Sequence, residues 1–406
     1  MNARRWLVAL VAFAPGCFHP VFDHPMCGPA DACPPGQACN LMTGFCEAGD
    51  GGVDPGDAMP GSTDAQLCFG SGLVTVCLSS APSRAVSYPT DTLLDTTGSA
   101  SCTQTMAQAG GPELCILAGT TVTIGGTLTV IGSRALVLVA ADSLTVSGAV
   151  DASSTSSGRL GAAANQGSCV DPDPIAGADD TGGAGGGAGG GLGTKGGTGG
   201  TGDLNDSGPP AGQARGGVAG PPQALTVLRG GCRGGDGGAG DLQHRSPGGD
   251  GGGAVYLIAG TTIHLSGDVF ASGAGGGATQ GGLGSEQGGG GGGAGGMIGL
   301  DAPGLEILGR VAANGGAGGG GGGEVGGSPG GDGTTASWNT PATGGTGGGS
   351  IPGGNGAPGT AIGATSNVDG SSNAGGAGGG AGGLGIIVVH GAMSGGTKMS
   401  PAPTAR

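Results

Sequence analysis

Apolar residues two apart, broken by a small polar turn and resumed, form a pattern that recurs along the chain. "AGTTVTIGGTLTVIG" (118–132) aligns without a gap with "AGTTIHLSGDVFASG" (259–273), setting Val122 on Ile263, Ile124 on Leu265 and Leu128 on Val269. "ALVLVAADSLTVSGAVDAS" (135–153) aligns equally with "AVYLIAGTTIHLSGDVFAS" (254–272), pairing Leu144 with Ile263, Val146 with Leu265, Gly148 with Gly267 and Val150 with Val269. "MIGLDAPGLEILGRVAANG" (297–315) fits with one residue deleted, so that Leu305, Ile307, Gly309 and Val311 take the same places. "GGLGIIVVHG" (382–391) reads as the start of a last, truncated copy.

The period of two is that of strands. Each unit is an apolar strand, a turn, a short alternating strand, a glycine and a second short strand. Positions that stay apolar from copy to copy are what stacked parallel strands require. The expectation is therefore an all-β fold: a parallel β-solenoid-like domain over residues 67–396, with long insertions between coils. The alternative is a β-sandwich with disordered glycine-rich loops.

Composition moves the weight from side chains to backbone. Of 406 residues 109 are Gly, while aromatics make up only 2%, so the ring area that dominates an ordinary core is missing. The glycine tracts fall between copies, at about 156–253 and 273–296, or trail the third, at 315–383. They lack the strict G-X-Y spacing of collagen. Two states stay open for them: loose loops, which glycine's large ordering entropy favours, or three-per-turn glycine helices packed side by side. Their GGA, GGN and GGT texture resembles the polyglycine-rich repeat (PGRS-like) proteins of bacterial surfaces. The net charge of -15, from 28 acidic and 13 basic residues, argues against nucleic acid as a partner.

The N-terminus supplies an address. "MNARRWLVALVAFAPGC" sets Arg4 and Arg5 before an apolar run from Trp6 to Ala14, followed by small residues and Cys17. It resembles the signal of bacterial lipoproteins, although Ala14 stands where that family prefers Leu. The resemblance implies a signal over 1–17, acylation of Cys17 and membrane attachment through the lipid. The 11 cysteines agree: with Cys17 set aside, ten remain for disulfides, namely Cys27, Cys33, Cys39, Cys46, Cys68, Cys77, Cys102, Cys115, Cys169 and Cys232. Cys169 with Cys232 would close the first glycine tract. "CGPADACPPGQACNLMTGFC" (27–46) packs four of them into a module, residues 18–47, too small to own a core without staples. Its "CPPGQxC" kernel resembles the small Cys-rich modules that follow the signal in predicted bacterial surface lipoproteins. Residues 48–66 read as an acidic Pro/Gly linker, and 397–406 as a tail.

Candidate chemistry is sparse. Glycine dipeptides generate G-x-G-x-x-G by chance, and none follows a strand and opens a helix. Lys195 fails the P-loop pattern on both sides, and Ser328 in Gly326–Gly330 satisfies G-x-S-x-G without the strand–turn–helix context of a nucleophile. His19, His24, His244, His264 and His390 make no i, i+4 pair. Asp236, Asp250 and Asp332 follow glycines but do not recur at a coil's spacing, which leaves weak Ca²⁺ binding open. Thr121, Thr123, Thr127, Thr129 and Thr145 resemble the ladders of ice-binding solenoids, yet His264 and Glu306 break the array. The reading is of no catalytic residue, cofactor or metal site, and of a protein that is not an enzyme. It predicts an exported, lipid-anchored protein of the cell envelope, outer-membrane or cell-surface anchored or else secreted, with a structural or adhesive role. The alternative is a binding module for an extracellular glycan or an envelope partner.

Overall fold

The computed structural model describes residues 37–40, 45–48 and 67–405, except 167–168, 170–175, 207–208, 242–243, 279–285, 324, 334–337, 350–353, 355, 357–358, 362–369 and 397. Cys17, Cys27 and Cys33 lie outside the described residues. The chain divides into two units, Met1–Asp64 and Ala65–Arg406. In the first, β1 (Gln37–Asn40) and β2 (Phe45–Ala48) form an antiparallel hairpin that sets Cys39 opposite Cys46.

The second unit is all-β, and nearly all its pairing is parallel. It opens with an antiparallel hairpin, β3 (Leu67–Phe69) and β4 (Val76–Leu78), then β5 (Val86–Tyr88), β6 (Thr92–Asp95) and β7 (Gln104–Met106). Two complete three-strand repeats follow: β8 (Leu114–Gly119), β9 (Val122–Ile124) and β10 (Thr127–Ile131), then β11 (Ala135–Ala140), β12 (Ser143–Val146) and β13 (Ala149–Asp151). A third is β14 (Ala254–Ala259), β15 (Thr262–Leu265) and β16 (Asp268–Phe270). In the fourth, β17 (Met297–Ile307) does the work of two strands before β18 (Arg310–Ala312). The chain closes with β19 (Ile386–Ser394), β20 (Lys398–Ser400) and β21 (Thr404–Ala405). Third strands of each repeat join β6 in a six-stranded sheet, and first and second strands form an eleven-stranded sheet that curls as a half-barrel.

Register in these sheets is the alignment of the sequence copies. Leu144 pairs with Val122 on one side and Ile263 on the other, and Ile263 pairs with Leu305. In the six-stranded sheet Leu128, Val150, Val269, Val311 and Met399 follow one another across neighbouring strands. All of these side chains are buried in one aliphatic cluster. The first strands of the repeats are buried on both faces. Leu136, Leu138, Val255 and Leu257 point into that cluster, while Val137, Val139, Tyr256 and Ile258 enter a second one beneath Val74, Val76 and Leu78 of the N-terminal hairpin.

Two expectations change at the ends. The stretch expected as a tail, 397–406, carries two strands within its described residues: β20 and β21 extend both sheets, and Met399 continues the buried ladder at 1% exposure. The copy beginning at "GGLGIIVVHG" is accordingly complete rather than truncated. A copy that the alignments missed precedes the first, with Val86 against Val122, Tyr88 against Ile124 and Thr92 against Leu128.

Glycine is required where repeats meet. Gly148, Gly267 and Gly309 occupy the corner between second and third strands, and a Cβ on each would land on the carbonyl oxygen of Gly126, Gly148 and Gly267 respectively. Gly304, inside β17, is different: the nearest atom to its Cβ position is Thr262 Oγ1 at 3.3 Å.

Three long connections, 152–253, 271–296 and 313–385, all leave after a third strand and return to a first strand. Outside their omitted residues they are mostly buried, without ladder or α-helix. Their order comes from backbone bonds of period three. From Gly288 to Gly296 every N–H donates to another segment, in rotation. Gly288, Gly291 and Ala294 reach the carbonyls of Gly238, Gly235 and Cys232; Gly289, Gly292 and Gly295 reach those of Ala377, Gly380 and Gly383; and Gly290, Gly293 and Gly296 reach those of Gly277, Ala274 and Ala271. Carbonyls of the same stretch accept in rotation from residues 187–190, 249–252 and 316–319, so six segments surround the seventh. Side-chain bonds seam this lattice to the sheet, with Ser272 N–H donating to Ser153 Oγ (3.0 Å) and Asn314 N–H to Ser272 Oγ (3.2 Å).

Gly309→Ala must displace the backbone of the neighbouring repeat, at a cost of more than about 3 kcal/mol, whereas Gly304→Ala in the same stretch costs under about 1 kcal/mol. Urea unfolding of the two variants beside the parent chain checks the contrast.

Candidate functional site

The parallel stacking places one residue of each second strand in an outward column. Register sets Ser87, Thr123, Thr145, His264, Glu306 and Ser394 side by side in that order. Neighbouring strands lie about 4.8 Å apart, so the column is a continuous row of hydroxyl, imidazole and carboxylate groups. His264 Nδ1 lies 2.7 Å from Glu306 Oε2 with both side chains about half exposed. Beside it run Thr127, Ala149, Asp268, Arg310 and Lys398. Arg310 makes a two-pronged contact with Asp268 (2.9 and 2.5 Å) and lies 5.6 Å from the Phe270 ring centroid. Its hydrogen bond to Asp268 raises the pKa of Arg310 further. Such a row can hydrogen-bond an extended polar partner along its length.

A second concentration of charge sits at one end of the glycine lattice. Asp179, Asp180, Asp241 and Arg245 border a cavity of about 330 Å³ together with Thr181 and Pro209. Arg245 lies 2.6 Å from the Asp179 carboxylate. Asp180 is buried, and its Oδ1 accepts from Gly182 N–H at 2.8 Å. Burial raises its pKa above 3.8, opposed by that bond and helped by Asp203 and Asp206. Burial also raises Glu286 above 4.5, with Asp241, Asp203 and Asp180 adding to it.

A third buried acid has a structural task. Asp301, 3% exposed, accepts from the N–H groups of Ser71 (2.9 Å) and Gly72 (2.8 Å) and from the Tyr256 hydroxyl (3.3 Å). Tyr256 O in turn accepts from Leu73 N–H at 3.0 Å. Burial beside Asp301 pushes the Tyr256 phenol up to about 12. The N-terminal hairpin is thus pinned over the wall by one carboxylate and one phenol.

Six of the expected disulfide cysteines pair as Cys68–Cys77, Cys102–Cys115 and Cys169–Cys232. The last lies in the first connection, where Arg229 Nη2 sits 2.9 Å from Cys169 Sγ and 3.5 Å from Cys232 Sγ. Ser328 of the G-x-S-x-G stretch bonds Thr346 Oγ1 at 2.9 Å, with both groups exposed. Among the described residues no three His, Cys, Asp or Glu side chains converge closely enough to hold a metal ion by themselves. No helix among them is long and apolar enough to cross a membrane. Sequence reasoning missed Asp180 and Asp301, whose surroundings come from other segments of the chain; the "DD" of Asp179–Asp180 inside a glycine tract was the available signal.

No family model, no curated protein and no solved structure matches this chain.

Two outcomes follow from these acids. Asp301→Ala strands the part-buried N–H groups of Ser71 and Gly72 and the buried Tyr256 hydroxyl, costing about 2–4 kcal/mol, and amide exchange over residues 68–77 reads the freed hairpin. Because the folded pKa values of Asp180 and Glu286 are raised, their protons are held more tightly in the folded state. Their contribution is fully present below the unfolded values, 3.8 and 4.5, and is lost as pH rises through the folded ones. Facing them are Asp179, Asp203, Asp206 and Asp241, with Arg245 on Asp179. Asp180→Asn therefore flattens the fall in stability as pH rises above 3.8, as measured by urea unfolding at successive pH values.

Proposed function

We propose that this chain is an exported, lipid-anchored cell-surface protein with a structural or adhesive role. In this reading the stacked repeats are a parallel β-solenoid, and the glycine connections are polyproline-II-type helices. That geometry has three residues per turn and no internal hydrogen bonds, so every backbone group is free for a neighbour. The observation that carries the proposal is the lattice around residues 286–296, where backbone bonds backbone on all sides. Such a body holds shape without side chains, which suits a spacer or scaffold. It leaves its outer columns as the parts that meet other molecules.

Disulfides fit export, since they persist in oxidising compartments. The signal-like N-terminus, with Cys17 as the acylated residue, supplies the tether. The acidic balance of the sequence keeps nucleic acid outside this reading. A second reading, a binding module for an extracellular glycan or an envelope partner, is favoured by one observation: the exposed column from Ser87 to Ser394. Evenly spaced hydroxyls suit an extended, hydroxyl-rich chain.

Cells lacking the gene should attach several-fold less to surfaces or to one another. The full chain should restore attachment, and a Cys17→Ser form, released from the membrane, should not. Unchanged attachment in the deletion strain removes the adhesive role. Retention of the purified chain on a polysaccharide array, weakened by Thr145→Ala with His264→Ala, would instead select the glycan reading.

A further inference from the structure

The stack of repeats ends in two open edges that match each other. At the N-terminal end β5 pairs only with β9, and β6 only with β10. At the C-terminal end β20 pairs only with β18. There β21 covers β19 at Val388 and Val389, which leaves Ala392–Ser394 without a further neighbour among the described residues. An uncovered edge presents unpaired N–H and C=O groups to any strand of the right direction. Second and third strands all run parallel to their neighbours, so a parallel strand can be added at either end.

The rows that end at these edges fix what fits them. The inward row of second strands runs Val86, Val122, Leu144, Ile263, Leu305, Met393. Leu305 is 1% exposed, whereas Met393, at the last place, is 40% exposed, and Val86 at the first is only partly buried. The third-strand row of Thr127, Ala149, Asp268, Arg310 and Lys398 starts at Asp91, whose carboxylate accepts from Thr127 N–H at 2.7 Å. It therefore opens with an acid and closes with a base. Adjacent places in this row do form ion pairs, as Asp268 and Arg310 show. The Lys398 ammonium meets only the Leu308 carbonyl, at 3.5 Å, among the described residues.

We propose that the stack joins copy to copy, head to tail: β19 and β20 of one chain pair in parallel with β5 and β6 of the next, in the register that the repeats already use. Met393 then covers Val86 of the next copy, and Lys398 faces its Asp91. A second copy is the occupant that fits, because the two edges are the first and last places of one register. They share strand direction and row spacing, and they carry opposite charge where they meet. Such an interface uses different surfaces on the two copies, so it propagates into a filament unless the rotation closes a ring. One element stands in the way. At one end β21 occupies the row that β7 occupies at the other, and the two would collide at the place that Ile116 and Val388 share. Only two residues of pairing hold β21 there, so joining requires this strap to lift. The inference goes beyond the structural role proposed above and needs neither the lipid nor adhesion.

The test uses the full chain as Cys17→Ser, so that no lipid drives association, in sedimentation velocity over a concentration series up to about 200 μM. The average mass should rise with concentration. Thr404→Pro with Ala405→Pro, which removes the N–H groups of β21, should shift assembly to several-fold lower concentration. Lys398→Glu should weaken assembly by about fivefold or more, since an attractive exposed pair becomes a repulsive one. A carbodiimide couples an amine to a carboxylate in contact; in a mixture of isotope-labelled and unlabelled chains it should join Lys398 to Asp91 between copies. A parent that stays monomeric while the proline variant assembles also supports the proposal, with β21 as the stop. A monomer mass at every concentration in both chains overturns it. Association that is indifferent to Lys398→Glu, or that yields no Lys398–Asp91 link between copies, overturns it too, since the contact then lies on another surface.

Discussion

Everything in the second unit depends on one absent atom, the Cβ of glycine. At Gly148, Gly267 and Gly309 its absence lets successive repeats close to backbone contact at a corner. In the lattice it lets seven chain segments pack side by side. A Cβ on Gly288, Gly291 or Gly292 would land on the carbonyl oxygens of Gly185, Ala188 and Gly316. Glycine loses more conformational freedom on folding than any other residue. The compensation is in number: along residues 288–296 each N–H is spent on a neighbour, and the carbonyls are met from three further sides.

The sheets and the lattice are one construction. Each connection runs on from a third strand and returns to a first strand, so the stacking distance of the repeats sets the spacing at which glycine segments enter the lattice. The hydroxyl and amide side chains of Ser153, Ser272, Asn314 and Ser400 mark the changeover from ladder to lattice. Because the interior is backbone and small aliphatics, polar side chains are displaced to the outward columns and to the lattice ends. This is the physical reason that the exposed row and the acidic end are the places with chemistry to offer.

Most of the ladder was legible in the sequence, because parallel register demands the same apolar residue at the same place in each copy. Leu144, Ile263 and Leu305 could be aligned by eye for that reason. The copy at 86–95 was not, since Pro89 and Thr90 replace the marker glycine and only half a repeat is present. Residues 398–400 escaped because the polar "SGGTK" before Met399 hides a single buried contact. The lattice was legible only as an alternative to loose loops: glycine carries no pattern of burial, and the partners of each segment are set by three-dimensional packing. The acids at its end could not be grouped for the same reason: Asp180 and Asp203 stand well before Glu286 in the sequence, and their segments meet it through glycine contacts.

The bonding of the central segment also dictates an order of events. Residues 288–296 need carbonyls from as early as Cys232 and as late as Gly383, and they receive N–H groups from Gly187 onward. No N-terminal portion of the chain can therefore complete the lattice while the chain is being made. Contacts of such sequence separation are slow to form. The repeats, joined by short turns over residues 114–151, can form first and act as a template. Closure then waits for the last connection, so that the chain passes from a short stacked sheet with loose glycine arms to a solid body in one late step.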